Sequence, residues 1–200
     1  MFSLERWARQ HLAPQLDPLI SAVARTGISP DALTVLGMAL NVLAGAIIAL
    51  GQPFGGGVVM ALIAMPLDVL DGGVARKRGT HSAFGAFLDS TADRLAEGAV
   101  LGGIAVFFAA QQNVIGVTLA FAALVGSYLV SYTRARAEGL GLECTVGIFG
   151  RLGRFGVLVL GLGLSAVWSS ALLVMVAVLA LASFYTAGER VWHVYRITRA

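Results

Sequence analysis

Charge is what this chain has least of. Only 12% of its 200 residues are charged while 58% are hydrophobic, and the mean hydropathy is +0.82. Water-soluble domains carry about 25% charged residues, so the deficit excludes an ordinary soluble domain and makes lipid the solvent. With a formal charge of only +3, no nucleic-acid partner is expected. Cysteine is limited to Cys144, which rules out an intrachain disulfide and reads as a small buried residue. Proline occurs five times against 25 glycines, so this is no disordered Gly/Pro chain; the glycines read as close-packing positions between membrane helices. No signal peptide is expected, because some thirty residues with scattered charges and two prolines precede the first apolar run.

What is present is a succession of long apolar runs. Residues 1–29 form an amphipathic stretch: Leu12, Leu16, Leu19, Ile20 and Val23 recur at helical spacing, with Arg6, Arg9 and Arg25 polar and Trp7 nearby. That pattern predicts a helix lying in the membrane interface. Ser29-Pro30-Asp31 then supplies an N-cap, a proline at the first helical position and an acidic first turn. At about 20 residues per crossing, spans are expected near 32–50, 55–75, 84–109, 114–134, 152–167 and 171–187. The fold class is therefore all-α integral membrane, with six transmembrane helices after an N-terminal interfacial helix. The expected organisation is an interfacial helix over 1–29, a catalytic membrane domain over 30–188 and a basic tail over 189–200. With six spans, all 14 basic residues fall on or near the face that holds both termini, and the turns around Gln52, Gln112 and Ser169 carry none. The positive-inside rule makes that face cytoplasmic in a multi-pass cell-membrane protein.

Against this background four aspartates stand out. Asp68, Asp71, Asp89 and Asp93 lie in the second and third spans, at membrane depth or its edge. A lone carboxylate there costs about 2.5–3.5 kcal/mol on insertion scales, and four in one hairpin repel unless something positive sits between them. Asp68 and Asp71 are i and i+3, Asp89 and Asp93 i and i+4, so each pair projects from one helix face. An all-oxygen cluster suits hard cations such as Mg²⁺ or Mn²⁺, and two such ions about 3.5–4 Å apart are a device for phosphoryl transfer. Gly72 and Gly85 would let a nucleotide approach the backbone, and Arg76 offers a fork for a phosphate. The bland alternative is that the aspartates pair with Arg76, Lys77, Arg78 and Arg94 and do no chemistry; ion pairing alone would not require this spacing.

Asp68-Val-Leu-Asp71-Gly72-Gly-Val-Ala75-Arg76, then eight residues, then Gly85-Ala-Phe-Leu-Asp89-Ser-Thr-Ala-Asp93 resembles the signature of the CDP-alcohol phosphotransferase family. The resemblance implies that Asp68 and Asp89 bridge two divalent cations, Mg²⁺ or Mn²⁺, that Asp71 binds the first and Asp93 the second, and that Asp93 is the catalytic base. It implies that the CDP-lipid, CDP-diacylglycerol or CDP-archaeol, meets Gly72, Ala75, Arg76, Ser82 and Gly85, together with Asp31, Ala32, Leu33 and Thr34; many relatives carry Asn where Asp31 stands. Asp89-Ser-Thr-Ala-Asp93-Arg94 and Ser131-Tyr-Thr-Arg134-Ala-Arg136-Ala-Glu138 are similar to the branch that uses inositol phosphate. By that likeness Arg134, Arg151 or Arg154, and Arg190 hold the phosphate of a phosphorylated polyol; each is also a plain candidate for a cytoplasmic-face anchor. Members of the family are typically homodimers. Glu97 is expected to partner Arg94 or Arg134. The competing readings are a phosphatidylglycerophosphate synthase using glycerol 3-phosphate, a membrane prenyltransferase, and a cation transporter. Prenyltransferases carry Asn before the first Asp, where Leu67 stands here, and transporters place their carboxylates at the midplane between repeats.

Overall fold

The computed structural model describes residues 17–80 and 82–199, apart from the side chains of Met65 and Asp68. Most of the expected interfacial helix, with Arg6, Trp7, Arg9, Leu12 and Leu16, lies outside the described residues, as do His11 and His81. The part that is described, α1 (17–25), is tied to the basic end of a later helix. Lys77 Nζ lies 2.9 Å from Asp17 Oδ1, and Arg78 donates from Nε to Ala24 O at 3.0 Å and from Nη1 to Ile28 O at 2.6 Å. A cation at the last turn of a helix satisfies carbonyls that have no intrahelical partner.

The described residues contain helices and no strand. Helix α2 (Pro30–Ala49) starts as the sequence dictates: Ser29 Oγ accepts from Ala32 N at 3.2 Å, with Pro30 in the first turn. A short turn at Gly51, whose φ of +92 only glycine adopts readily, leads into α3 (Pro53–Val59). A π-helical turn, Met60–Ala64, joins α3 to α4 (Met65–Arg78). The sequence predicts one regular span here. Pro66 explains the departure: it lacks the N–H owed to the preceding turn and its ring crowds that turn's carbonyl, so the helix widens just before it. The wide turn sits one to two turns ahead of Asp68 and Asp71.

Helix α4 ends at Gly79 in a left-handed cap, and Ser82 Oγ accepts from Gly85 N at 2.9 Å to start α5 (Ala83–Ala110). Asn113 caps α6 (Val114–Glu138) in the same way. A loop over 139–150 precedes α7 (Arg151–Leu164), and α8 (Ala171–Arg199) closes the chain. Helix α8 runs through Gly188 without a break, so the basic segment read as a tail is helical to Arg199.

Small residues set the helix crossings. A Cβ on Gly103 would stand 2.2 Å from Gly45 O, and one on Gly45 would stand 2.4 Å from Ala99 O. Helices α2 and α5 therefore touch backbone to backbone, the approach that membrane helices use in place of a hydrophobic driving force. Around this contact Ile48, Met60, Leu101, Ile104, Leu162 and Leu179 form the main buried cluster; Ile20, Leu33, Leu70 and Val74 form a second, smaller one. Outside, large apolar side chains face outward, among them Leu62 at 71%, Leu181 at 74% and Phe121 at 64% exposed. An apolar exterior of this extent belongs in lipid.

Among the described residues four helical stretches are long and apolar enough to cross a membrane: Pro30–Ala49, Pro53–Arg78, Val114–Glu138 and Ala171–Arg199. The other two expected spans differ for separate reasons. Helix α5 has the length but carries Asp89, Asp93, Arg94 and Glu97; α7 has 14 residues, about 21 Å at 1.5 Å per residue against a hydrocarbon core of about 30 Å.

Candidate active site

Three helices bring the acidic residues together. Asp71 projects from α4 and is 6% exposed. Its Oδ2 accepts from the Thr34 hydroxyl on α2 at 2.6 Å, and its Oδ1 accepts from Gly72 N. Thr34 lies one turn into α2, so the cap at Ser29 that fixes the start of α2 also aims the hydroxyl that orients Asp71. Asp89 and Asp93 stand one turn apart on α5. Asp71, Asp89 and Asp93 all line one cavity of about 680 Å³, whose walls come from α2, α4, α5, α6 and α7. Asp68 precedes Asp71 by one turn on α4; its side chain lies outside the described residues.

Cationic side chains line the cavity as well. Arg134, Arg151 and Arg154 line the same cavity. Arg151 Nη2 meets Asp93 Oδ1, and Arg94 Nη1 stands 3.6 Å from Asp93 Oδ2. Arg154 donates from Nε to Glu97 Oε1 at 2.9 Å and from Nη2 to Glu97 Oε2 at 3.4 Å. Arg134 pairs with Glu138 on its own helix at 2.8 Å, with both side chains half exposed. One cavity thus holds carboxylates and guanidiniums together, groups suited to cations and to a phosphate respectively.

Several expectations change at this point. Arg190 was expected to converge with Arg134 and Arg151 or Arg154 on one anion, yet it is absent from the cavity wall. It is 6% exposed and gives its Nε to Val146 O at 3.0 Å and its Nη1 to Val130 O. Two of its five N–H donors go to main-chain carbonyls, which ties the 139–150 loop and α6 to α8. Glu97 pairs with Arg154, not with Arg94 or Arg134, because α7 places Arg154 directly across from it. Lys77 and Arg78 are engaged with α1. The bland alternative, in which the basic run after α4 neutralises the aspartates, loses those two members.

The residues expected to meet the CDP moiety divide in two. Thr34 is in the cavity wall. Leu33 turns its side chain into the small cluster with Ile20, Leu70 and Val74, while Ala32 is exposed. Asp31, Ser82 and Gly85 meet where α2 and α5 begin: a Cβ on Gly85 would stand 3.1 Å from Ser82 Oγ and 3.4 Å from Asp31 Oδ1. Arg76 is exposed beyond Ala75 and folds back over Gly72, its Nη1 3.4 Å from the point a Cβ there would occupy. These residues lie outside the cavity wall, beside two helix N-termini whose N–H groups favour anions.

Sequence reading missed Asn41, a buried wall residue that donates to Gly37 O at 3.0 Å, and the bond from Thr34 to Asp71. It also missed the pairing of Asp93 and Glu97 on α5 with Arg151 and Arg154 on α7, since the one-turn spacing within each pair does not say which helices face each other. The donor chemistry fits a divalent metal: carboxylates and a hydroxyl, hard oxygens, with no cysteine or histidine among the residues of the cavity wall. Among the described residues no three His, Cys, Asp or Glu side chains converge as a complete ligand set.

Comparison with known proteins agrees with this chemistry. A family model described as CDP-alcohol phosphatidyltransferase matches residues 27–188. Over 196 residues the chain is 36% identical to a phosphatidylinositol phosphate synthase of Mycobacterium marinum, covering 94% of this chain and 82% of that one. The crystal structure of the Mycobacterium tuberculosis phosphatidylinositol phosphate synthase in complex with manganese and citrate superposes with a TM-score of 0.83 at 34% identity, covering 89% of this chain and 88% of that one. The same enzyme with CDP-DAG bound gives a TM-score of 0.80 at 34% identity over 88% and 90%.

Proposed function

The chain belongs to the CDP-alcohol phosphatidyltransferase family, and from that premise we propose that it transfers a phosphatidyl group from CDP-diacylglycerol to inositol 1-phosphate, releasing CMP. The observation that carries this reading is that one cavity is lined by Asp71, Asp89 and Asp93 together with Arg134, Arg151 and Arg154. The carboxylates suit a metal-bound diphosphate; the arginines suit the phosphate of the acceptor.

Asp68, Asp71, Asp89 and Asp93 would hold two divalent cations, Mg²⁺ or Mn²⁺. Bound there, such ions neutralise phosphate charge and acidify a nearby hydroxyl. The protein's own groups do the rest. The Thr34 hydroxyl and Gly72 N–H fix both oxygens of Asp71. Gly72, Ala75, Arg76, Ser82 and Gly85, with the 31–34 turn, receive the cytidine diphosphate beside the N-termini of α2 and α5. Arg134, Arg151 and Arg154 orient the acceptor through its phosphate, a dianion that forked guanidiniums bind in a fixed direction. Asp93 takes the proton of the attacking hydroxyl. The oxygen so freed forms a bond to the phosphorus that carries the lipid, the bond from that phosphorus to CMP breaks, and CMP leaves with the electron pair. A buried, oriented base and substrate account for much of the rate in such transfers.

Four long apolar helices and an apolar exterior support a membrane enzyme. In this reading α5 and α7 complete six crossings, and the segment over 1–29 lies in the interface. Both termini and the cavity mouth face the cytoplasm across the cell membrane, and the chain pairs as a homodimer. The membrane-embedded catalytic unit is 30–188.

The test is an acceptor panel. Purified protein with CDP-diacylglycerol and Mn²⁺ is assayed for CMP release with inositol 1-phosphate, glycerol 3-phosphate, serine and free inositol in turn. Inositol 1-phosphate is expected to be the best acceptor, EDTA to abolish turnover and added Mn²⁺ to restore it. Faster reaction with serine or free inositol would overturn the acceptor assignment.

A further inference from the structure

One wall of the cavity carries an arrangement beyond the roles given above. Asp93 and Glu97 stand one turn apart on α5, and Arg151 and Arg154 stand one turn apart at the start of α7. Each carboxylate faces one guanidinium, giving two rungs between the helices. The second rung is the more enclosed: the side chains of Arg154 and Glu97 are 6% and 15% exposed, against 44% for Arg151. Both Glu97 and Arg154 line the cavity.

A guanidinium carries five N–H donors in a planar fork and cannot lose its charge. Glu97 takes the Nε–H and one Nη2–H of Arg154. Nη1 and the second Nη2 hydrogen lie on the other edge of the fork, away from Glu97. Burying such a pair is expensive, and a brace between two helices is made at no loss by apolar residues of similar volume. The main apolar cluster already reaches this spot through Leu158, a wall residue of the same cavity. An ion pair kept at the cavity wall, next to a cluster able to do the bracing, therefore points to a ligand.

We propose that Glu97 is a positioning residue for the acceptor. By gripping the Nε edge of Arg154 it presents the other edge to the acceptor's phosphate, and so makes the enzyme select phosphorylated over free polyols. The inference rests on the cavity being the site of transfer to a phosphorylated polyol. Glu97 touches no reacting atom; it acts through Arg154.

The experiment compares Glu97→Gln, Glu97→Asp and the exchanged pair Glu97→Arg/Arg154→Glu with wild type, each loaded with Mn²⁺. In Glu97→Gln the KM for inositol 1-phosphate is expected to rise by about tenfold or more, the scale of one charged hydrogen bond lost from a buried site. The KM for CDP-diacylglycerol is expected to stay within about twofold, well below that scale. Inhibition by inorganic phosphate, competing for the same arginines, should weaken in the same proportion, and Glu97→Asp should recover part of both. The exchanged pair should regain thermal stability without regaining the acceptor KM, because it turns a carboxylate toward the phosphate. Unchanged acceptor KM and phosphate inhibition in Glu97→Gln would overturn the proposal. So would an exchanged pair that recovers activity together with stability, which is how a brace behaves. Wild-type enzyme that does not prefer a phosphorylated acceptor would overturn the proposed function itself, and that result is seen without any substitution.

Discussion

Asp93 is the residue on which most of the chemistry converges. It shares a helix face with Asp89, meets Arg151 at the cavity wall and has Arg94 at 3.6 Å. As the base, it has one proton to take, and Asp93→Asn removes that capacity while keeping the shape. The substitution is expected to lower kcat by about a hundredfold or more, the range for loss of a positioned base. Binding of the CDP-lipid, measured by calorimetry, should persist; full turnover in the variant would remove Asp93 from that role. The aspartate spacing was legible in the sequence because a helix's period alone decides which side chains share a face. The partner of Glu97 was not legible, since Arg94, Arg134 and Arg154 are equally plausible until α7 is placed against α5. The surroundings of Arg190 were not legible for the same reason: its charge is visible in sequence, but the carbonyls of Val130 and Val146 to which it donates are not.

Among elements, the crossing of α2 and α5 holds the site in register, since α2 supplies Thr34 and α5 supplies Asp89 and Asp93. Adjacent glycines on α5 provide a controlled test. A Cβ on Gly103 would stand 2.2 Å from Gly45 O, whereas one on Gly102 meets nothing within 4 Å. Gly103→Ala is expected to destabilise by about 1–3 kcal/mol, the cost of overpacking, and Gly102→Ala to stabilise by about 0.5–1 kcal/mol through reduced backbone freedom. Thermal unfolding in detergent reads both, and equal behaviour of the two variants would show that the crossing tolerates separation. The helix start at Ser29 was read from its capping chemistry and those near 84 and 114 from the apolar runs, whereas the caps at Ser82 and Asn113 were not read. The π-helical turn before Asp68 was not, although its cause, Pro66, stands in plain view: a proline inside an apolar run forbids a regular helix without saying how the backbone will adjust.

For the whole molecule, six crossings would put the arginines on one side, and that expectation predicts an orientation. Cys144, the single cysteine, is buried, so introduced cysteines report with little background. In intact cells a membrane-impermeant maleimide is expected to label Gln111→Cys and Ser169→Cys, and to label Arg196→Cys only after permeabilisation. The reverse pattern would place the cavity mouth outside the cytoplasm. By itself the sequence determined the apolar composition, the family signature and the acidic pairs. Each of these depends on composition or on spacing within one helix, which a regular period fixes locally. Tertiary structure alone decided that α7 brings Arg151 and Arg154 onto Asp93 and Glu97, that Arg190 donates to the carbonyls of Val130 and Val146, and that Thr34 holds Asp71. Those contacts join residues dozens of positions apart, and their geometry is set by how closely backbones can cross at glycine.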